Sequence, residues 1–189
     1  MTAPRGGERH RATTETRVDL TLVVDGGGQA HAETGIPFFD HMLEQLGKHA
    51  GFDLDVQAAG DLAVDLHHTV EDVGLALGDK AGVRRFADAI VPLDEALVQV
   101  ALDLSGRPFL VYDVDPIAEW IGTFDPQLME EFWRAFTFGA GITLHIRSLT
   151  GKNGHHVIEA SCKGVARALR DAVRVEGTDV PSTKGTLSR

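Results

Sequence analysis

Two copies of a short histidine-rich motif constrain this chain more than any other feature. The first copy is HHTVED at residues 67–72, and the second is HHVIEA at residues 155–160. In each copy the leading histidine and the glutamate are four residues apart, so on a helix they share a face and can bind the same ion. The second histidine of each copy points about 100° away around the helix. One ion therefore cannot easily bind both histidines and the glutamate of one copy. Two ions can bind all of these side chains if the second histidine of each copy binds the ion held by the other copy.

The two motifs lie at matching points of an internal repeat. Residues 49–56, HAGFDLDV, align with residues 139–146, GAGITLHI. Ten residues before the aligned glycines of these segments stand His41 and Glu131, each within a helical pattern. Self-similarity of this kind indicates a duplicated unit. Half of the chain would bury too little apolar surface to be stable, so we expect the halves to pack together.

Hydrophobic periodicity predicts the same order of elements in both halves. Strands are predicted at residues 18–24, 52–58, 97–104, 108–114 and 142–148, and helices at 38–49, 67–78, 126–139 and 155–173. The result is a duplicated β-β-α-β-α unit, and we predict an α+β fold of two sheets, with helices packed between them or on one face of each. The glycine run at 25–28 joins two strand-like runs, so it is interpreted as a hairpin turn and not as a phosphate-binding loop.

The chain of 189 residues is expected to form one compact domain. Residues 1–10 are polar and are expected to be flexible. The first half is assigned to residues 11–84 and the second half to residues 85–176, and residues 177–189 form a small polar tail.

Composition excludes several classes of function. The net charge of −10 argues against a nucleic-acid or membrane-surface partner, because both favour a basic face. The single cysteine, Cys162, rules out an internal disulfide, fits a reducing compartment and is expected to pack as a small apolar residue. The sequence has neither an apolar run of membrane-spanning length nor an apolar signal core, so we expect a cytoplasmic protein.

A polar stripe runs beside the apolar side of the first predicted helix. It consists of His41, Gln45 and His49, at positions i, i+4 and i+8. Such a stripe is usually a solvated face. Because His41 is the repeat counterpart of Glu131, we interpret the stripe as the lining of a pocket.

Eight motifs follow one another between residue 9 and the C-terminus. They are RATTET, FFDHM, HHTVED, GVRRF, LDEAL, LSGRP, HHVIEA and PSTKG. In this order they resemble the imidazoleglycerol-phosphate dehydratase family of histidine biosynthesis. The resemblance implies a hydro-lyase that converts D-erythro-imidazoleglycerol phosphate to imidazole-acetol phosphate and water. It also implies two Mn²⁺ ions per active site, active sites built between subunits, and a homo-oligomer of 24 copies.

The resemblance also implies roles for individual residues. The family's metal ligands correspond to His41, His67, His68, Glu71, Glu131, His155, His156 and Glu159. The substrate contacts correspond to Glu15, Gln45, His49, Arg85, Arg107, Ser182, Thr183 and Lys184, the last five at the phosphate group. The chain departs from the family at Glu131, where many relatives carry histidine, although glutamate also binds Mn²⁺. It also lacks about two helical turns after HHTVED.

The substrate's chemistry requires a proton carrier besides the metals. The proton that is lost is not acidic, so the metals are expected to act as Lewis acids that hold the imidazole ring. Glu15 is the expected carrier, and Asp94 and Glu95 remain alternatives. The ligands alone would also suit another di-metal lyase or hydrolase, or a non-catalytic metal-binding protein.

Overall fold

The computed structural model describes residues 4–12, 16–60, 82–114 and 120–178. The described part of the first half contains β1 (Gly6–Ala12), β2 (Thr16–Val23), β3 (Ala30–Glu33), α1 (Pro37–Ala50) and β4 (Asp53–Gly60). The described part of the second half contains β5 (Phe86–Leu93), β6 (Ala96–Asp103), β7 (Phe109–Asp113), α2 (Leu128–Ala140), β8 (Thr143–Thr150) and α3 (Gly154–Ala172). The helix predicted after residue 67 lies outside the described residues.

The described part of each half forms one mixed four-stranded sheet, and the two sheets have the same topology. The strand orders are β1-β2-β4-β3 and β5-β6-β8-β7. In each sheet the third strand along the chain pairs parallel with the fourth, and the other pairs are antiparallel. The predicted α+β class, the duplication and the two sheets are confirmed.

The helices α1 and α2 end in the same way. Their C-caps are Gly51, with φ of 74°, and Gly141, with φ of 59°. Glycine is favoured at such positions because it has no Cβ to oppose the left-handed conformation. The two caps fix equivalent helix ends, so His41 and Glu131, each ten residues earlier, occupy equivalent positions.

The helices connect the two sheets through one apolar core. Helix α1 packs against β3 and β4 and also against α3, which in turn packs on β5 and β6. Gly47 and Gly164 allow these close approaches, since a Cβ on either would lie 2.7 Å from a side-chain carbon of the sheet. Cys162 is 1% exposed and belongs to this core, as predicted. No helix in the described ranges is long and apolar enough to cross a membrane.

The prediction of a hairpin at residues 25–28 is wrong. The strands on either side, β2 and β3, are not neighbours, because β4 lies between them. The side chain of Asp53, at the start of β4, accepts hydrogen bonds from the backbone N–H groups of Gly27, at 2.8 Å, and Gln29, at 2.9 Å. These bonds hold the loop against β4 while the chain crosses to its far side.

Each half also has a first strand that the sequence analysis did not predict. Residues 6–10, which were expected to be flexible, belong to β1, which pairs with β2 from Gly6 opposite Val23 to Ala12 opposite Arg17. The corresponding strand of the second half is β5. Both are edge strands, which need no continuous apolar pattern because one edge and one face remain accessible.

Candidate metal centre

The second histidine motif lies in the first turns of α3. The side chain of the N-cap residue Asn153 accepts a hydrogen bond of 3.0 Å from the backbone N–H of His155 and so fixes the start of the helix. One turn later, Oε2 of Glu159 lies 3.0 Å from Nε2 of His155. The four-residue spacing therefore places both side chains on one face.

A third potential ligand comes from the other half of the chain. His41 lies on α1, which packs against α3. Its Nε2 is 3.7 Å from Oε2 of Glu159, and its ring centroid is 6.3 Å from that of His155. One ligand atom from each of the three residues lies within 4.8 Å of the others. The structure thus brings together one residue of the first half and two of the second.

The carboxylate of Glu159 is the most enclosed member of this cluster, with a side chain that is 13% exposed. Its burial favours the neutral acid, but Nζ of Lys163 at 2.7 Å from Oε1 and the neighbouring histidines outweigh this effect and hold the pKa of Glu159 below its usual value. The side chain is therefore ionised at neutral pH and offers Oε2 as an anionic ligand.

The cluster fits a transition-metal ion. Two imidazole nitrogens and one carboxylate oxygen are donors that divalent first-row metals bind. The side chains of His41 and His155 are 42% and 43% exposed, so one side of the cluster remains open to further ligands. These three residues can supply one face of a coordination sphere.

His156 lies apart from the cluster, as expected for the outlying histidine. Its Nδ1 is 2.8 Å from Oε2 of Glu95, and its Nε2 is 3.7 Å from Oδ2 of Asp94. The hydrogen bond raises the pKa of His156 and, together with backbone N–H donors, lowers the pKa of Glu95 to about 2. His156 is thus directed toward the turn between β5 and β6.

The polar stripe of α1 continues toward α3. Nε2 of His49 is 3.1 Å from Oε1 of Gln45, one turn earlier on the helix. Partial burial lowers the pKa of His49, and the positive charge of Lys163 adds to this effect. The ring is therefore neutral at pH 7 and lies on the side of α1 that faces the cluster.

The two arginines expected at the phosphate lie near the other end of α3. The backbone N–H of Arg85 donates to the carbonyl of Ala172, the last residue of that helix. Arg107 lies in the loop between β6 and β7, and its backbone N–H donates to Oγ of Ser105. From His155 to Ala172 the helix rises about 26 Å, at 1.5 Å per residue. A single chain therefore does not bring these arginines to the metal cluster.

The structure places Glu131 outside the three-residue cluster. It lies in the first turn of α2, half exposed, with Oε2 3.7 Å from Nε of Arg134. The remaining predicted site residues lie outside the described ranges; they are Glu15, His67, His68, Glu71, Ser182, Thr183 and Lys184.

Two residues that the sequence analysis did not single out contact predicted site residues. Lys163 hydrogen-bonds to Glu159 through i,i+4 spacing on α3, a local signal that could have identified it. Asp103, at the end of β6, binds Arg85, the residue directly before β5. Only the strand register reveals that contact.

Comparison with known proteins identifies the family. The family model described as imidazoleglycerol-phosphate dehydratase matches residues 34–169. The imidazoleglycerol-phosphate dehydratase of Acidothermus cellulolyticus is 58% identical over 97% of this chain and 94% of its own length. The chain belongs to the imidazoleglycerol-phosphate dehydratase family. Membership of this family confirms the function predicted from the sequence. That function is dehydration of imidazoleglycerol phosphate by a hydro-lyase of histidine biosynthesis.

Solved dehydratases share the fold of this family member. The crystal structure of imidazoleglycerol-phosphate dehydratase from Staphylococcus aureus is 36% identical, covers 87% of this chain and 96% of that chain, and has a TM-score of 0.75. The structure of the enzyme from Pyrococcus furiosus is 35% identical, covers 95% of this chain and 100% of that chain, and has a TM-score of 0.77. The dehydratase from Alkaliphilus metalliredigens, at 51% identity over 99% of this chain and 100% of its own length, shows that the likeness extends along the whole sequence.

Proposed function

We propose that this chain dehydrates imidazoleglycerol phosphate at a site with two Mn²⁺ ions, one of them bound by His41, His155 and Glu159. The observation that carries this proposal is the convergence of their ligand atoms within 4.8 Å. The donor set is two imidazole nitrogens and one anionic oxygen on packed helices, which are rigid supports for a metal site.

The internal repeat supports a second ion with the complementary ligand set. Glu131 is the counterpart of His41, and His67 and Glu71 are the counterparts of His155 and Glu159. We therefore assign the second ion to Glu131, His67 and Glu71. The outlying histidines, His68 and His156, would complete ions bound by neighbouring chains. The direction of His156, away from the cluster of its own chain, supports this exchange.

The separation of the two predicted sites supports active sites built between subunits. The backbone of Arg85 is hydrogen-bonded to the last residue of α3, about 26 Å along the helix from His155. Leu104, three residues before Arg107, donates in turn to the carbonyl of Arg85. This distance along α3 far exceeds the length of a substrate with one ring and a three-carbon chain. We propose that a neighbouring copy supplies the phosphate contacts, in an assembly of 24 subunits. We also propose that the chain acts in the cytoplasm, as its family's role in histidine biosynthesis implies.

In the proposed mechanism the chain's residues bind, orient and move protons around the substrate. The bound metals supply Lewis acidity toward the imidazole ring. Gln45 and His49 lie beside the cluster and orient the diol. Glu15 carries the proton between carbon and solvent. The phosphate dianion is bound by Arg85 and Arg107 together with Ser182, Thr183 and Lys184 of the tail, since guanidinium and ammonium groups give charge-assisted hydrogen bonds to phosphate.

Metal removal and reloading test this proposal. The protein is stripped with a chelator, reloaded with increasing Mn²⁺, and assayed by ultraviolet detection of the ketone formed from imidazoleglycerol phosphate. We expect activity to vanish on stripping and to return as two Mn²⁺ bind per chain. Full activity in the stripped protein, or saturation at one Mn²⁺ per chain, would overturn it.

A further inference from the structure

The strand registers identify Glu95 as the repeat counterpart of Glu15. In the first sheet Leu20 pairs with Val56, and in the second sheet Val100 pairs with Ile146. Val56 and Ile146 are aligned positions of the repeat, so Leu20 and Val100 are equivalent. Five residues before Leu20 stands Glu15, and five residues before Val100 stands Glu95. Both glutamates directly precede the second strand of their half.

Glu95 uses both carboxylate oxygens. Its Oε1 accepts hydrogen bonds from the backbone N–H groups of Lys152, at 3.2 Å, and Asn153, at 2.8 Å, in the segment that leads into α3. Its Oε2 lies 2.8 Å from Nδ1 of His156. The side chain thus ties the start of β6 both to the N-terminus of α3 and to the outlying histidine. With both oxygens engaged by donors, Glu95 is poorly suited to carry a proton.

The same contact fixes which nitrogen of His156 can bind a metal. Because the Glu95 carboxylate can only accept, Nδ1 is the donor, and the neutral ring then carries its lone pair on Nε2. Histidines that bind metals commonly donate their other ring N–H to a carboxylate, which sets the ring orientation and raises its basicity. Asp94, whose Oδ2 is 3.7 Å from Nε2, is 74% exposed at the side chain. An exposed side chain can turn aside without loss of packing, so Asp94 can yield this position to an ion.

We propose that Glu95 is a positioning residue that holds His156 with Nε2 presented to the metal ion of a neighbouring chain. The proposal rests on the proposed function, in which His156 is a metal ligand. In this proposal the two repeat-related glutamates have different roles. Glu15 moves a proton, and Glu95 orients a ligand.

The test measures Mn²⁺ affinity in Glu95→Gln by calorimetry on the stripped, full-length protein. The amide has one accepting oxygen where the carboxylate has two, so it cannot keep both sets of contacts in this geometry and His156 loses part of its orientation. Loss of such a partner typically weakens metal binding about 10- to 100-fold. We expect this loss at one of the two Mn²⁺ ions and an unchanged dissociation constant at the other. Glu8→Gln, on the exposed strand β1, is the matched control and is expected to change neither. Equal weakening of both ions with a lower melting temperature would mean a purely structural role and would overturn the proposal.

The variant His156→Ala separates this proposal from the proposed function. If His156→Ala leaves both affinities unchanged, His156 is not a ligand and the proposed function fails at this position. If His156→Ala weakens one ion and Glu95→Gln weakens neither, only the positioning role fails. With both proposals correct, adding Glu95→Gln to His156→Ala causes no further loss, because the two changes act on the same ligand.

Discussion

Asp103 binds the guanidinium of Arg85 at two points, with Nε 2.6 Å from Oδ1 and Nη2 3.0 Å from Oδ2. The backbone of Arg85 has φ of 76°, a conformation that side chains with a Cβ rarely adopt. Such strain costs on the order of 1–3 kcal/mol and persists where surrounding contacts hold it, often at functional sites. The two side chains are only 13% and 17% exposed, so the protein itself fixes the orientation of the guanidinium.

The first prediction follows from this contact. Asp103→Asn keeps the shape but removes the charge that orients Arg85, so substrate phosphate should bind less tightly. Hydrogen bonds to charged groups contribute about 1.5–3 kcal/mol, which corresponds to a KM about 10- to 100-fold higher. We expect kcat and metal content to change little. Steady-state kinetics with metal analysis checks this.

The matched control for Asp103→Asn is Asp113→Asn, in the same sheet. Asp113 binds Arg147 at 2.8 Å, but both side chains are about 60% exposed. Exposed pairs contribute about 0–1 kcal/mol, so KM should stay near that of the unmodified enzyme. An equal rise in KM for the two variants would show that the effect is not specific to Arg85.

The second prediction concerns Glu159. Glu159→Gln removes the anionic ligand of the cluster and leaves the ammonium of Lys163 without its carboxylate partner. We expect metal occupancy to fall first and activity to fall with it, measured by metal analysis of dialysed protein. Glu130→Gln, which removes an exposed ion pair with Arg134 on α2, serves as the control and should retain both ions. Full metal occupancy in Glu159→Gln would remove this residue from the ligand set.

The third prediction separates proton transfer from metal binding. Glu15→Gln keeps the size of the side chain but cannot carry a proton. We expect single-turnover rates to fall about 10²- to 10⁴-fold, the usual contribution of a general acid or base. Two Mn²⁺ should remain bound. Near-normal turnover would pass the role of proton carrier to Asp94.

The fourth prediction concerns acid stability and Asp53. Hydrogen bonds from the backbone N–H groups of Gln29 and Gly27 lower the pKa of Asp53 in the folded protein. The carboxylate of Asp53 is therefore protonated at a higher pH in the unfolded chain than in the folded chain. The contribution to stability is present above the unfolded value of about 3.9 and is lost as pH falls through the lower, folded value.

Asp53→Asn should accordingly reduce stability at pH 7 and show less additional loss below pH 4, as measured by denaturant unfolding at several pH values. Asp55→Asn is the control, since Asp55 is exposed on the same strand. If Asp53→Asn and the unmodified protein lose stability in parallel below about pH 4, the loop does not depend on this carboxylate.

Local features of the site could be predicted from the sequence, and tertiary features could not. Helix geometry alone predicts that His155 and Glu159 share a face. The positions of the glycines that end both helices likewise predict that His41 and Glu131 are equivalent. His41 lies beside the motif of the opposite half because α1 packs against α3. The hydrophobic periodicity of the sequence does not predict which helices pack together. For the same reason the contact between Asp103 and Arg85 required the strand register.

The fold shows the same division. The strands β2, β4, β6 and β8 alternate in polarity and were predictable, because their buried faces leave a pattern of period two. The strand β1 was missed because its residues, GGERHRA, carry no such pattern. The hairpin at residues 25–28 was predicted wrongly because the carboxylate that holds this loop, Asp53, lies more than twenty residues further along the chain.

A cluster that takes His41 from one half and His155 and Glu159 from the other has an evolutionary consequence. A chain of half this length could not assemble that ligand set alone. Joining the two halves in one gene therefore supplies both parts of the cluster in equal amounts and on the same molecule.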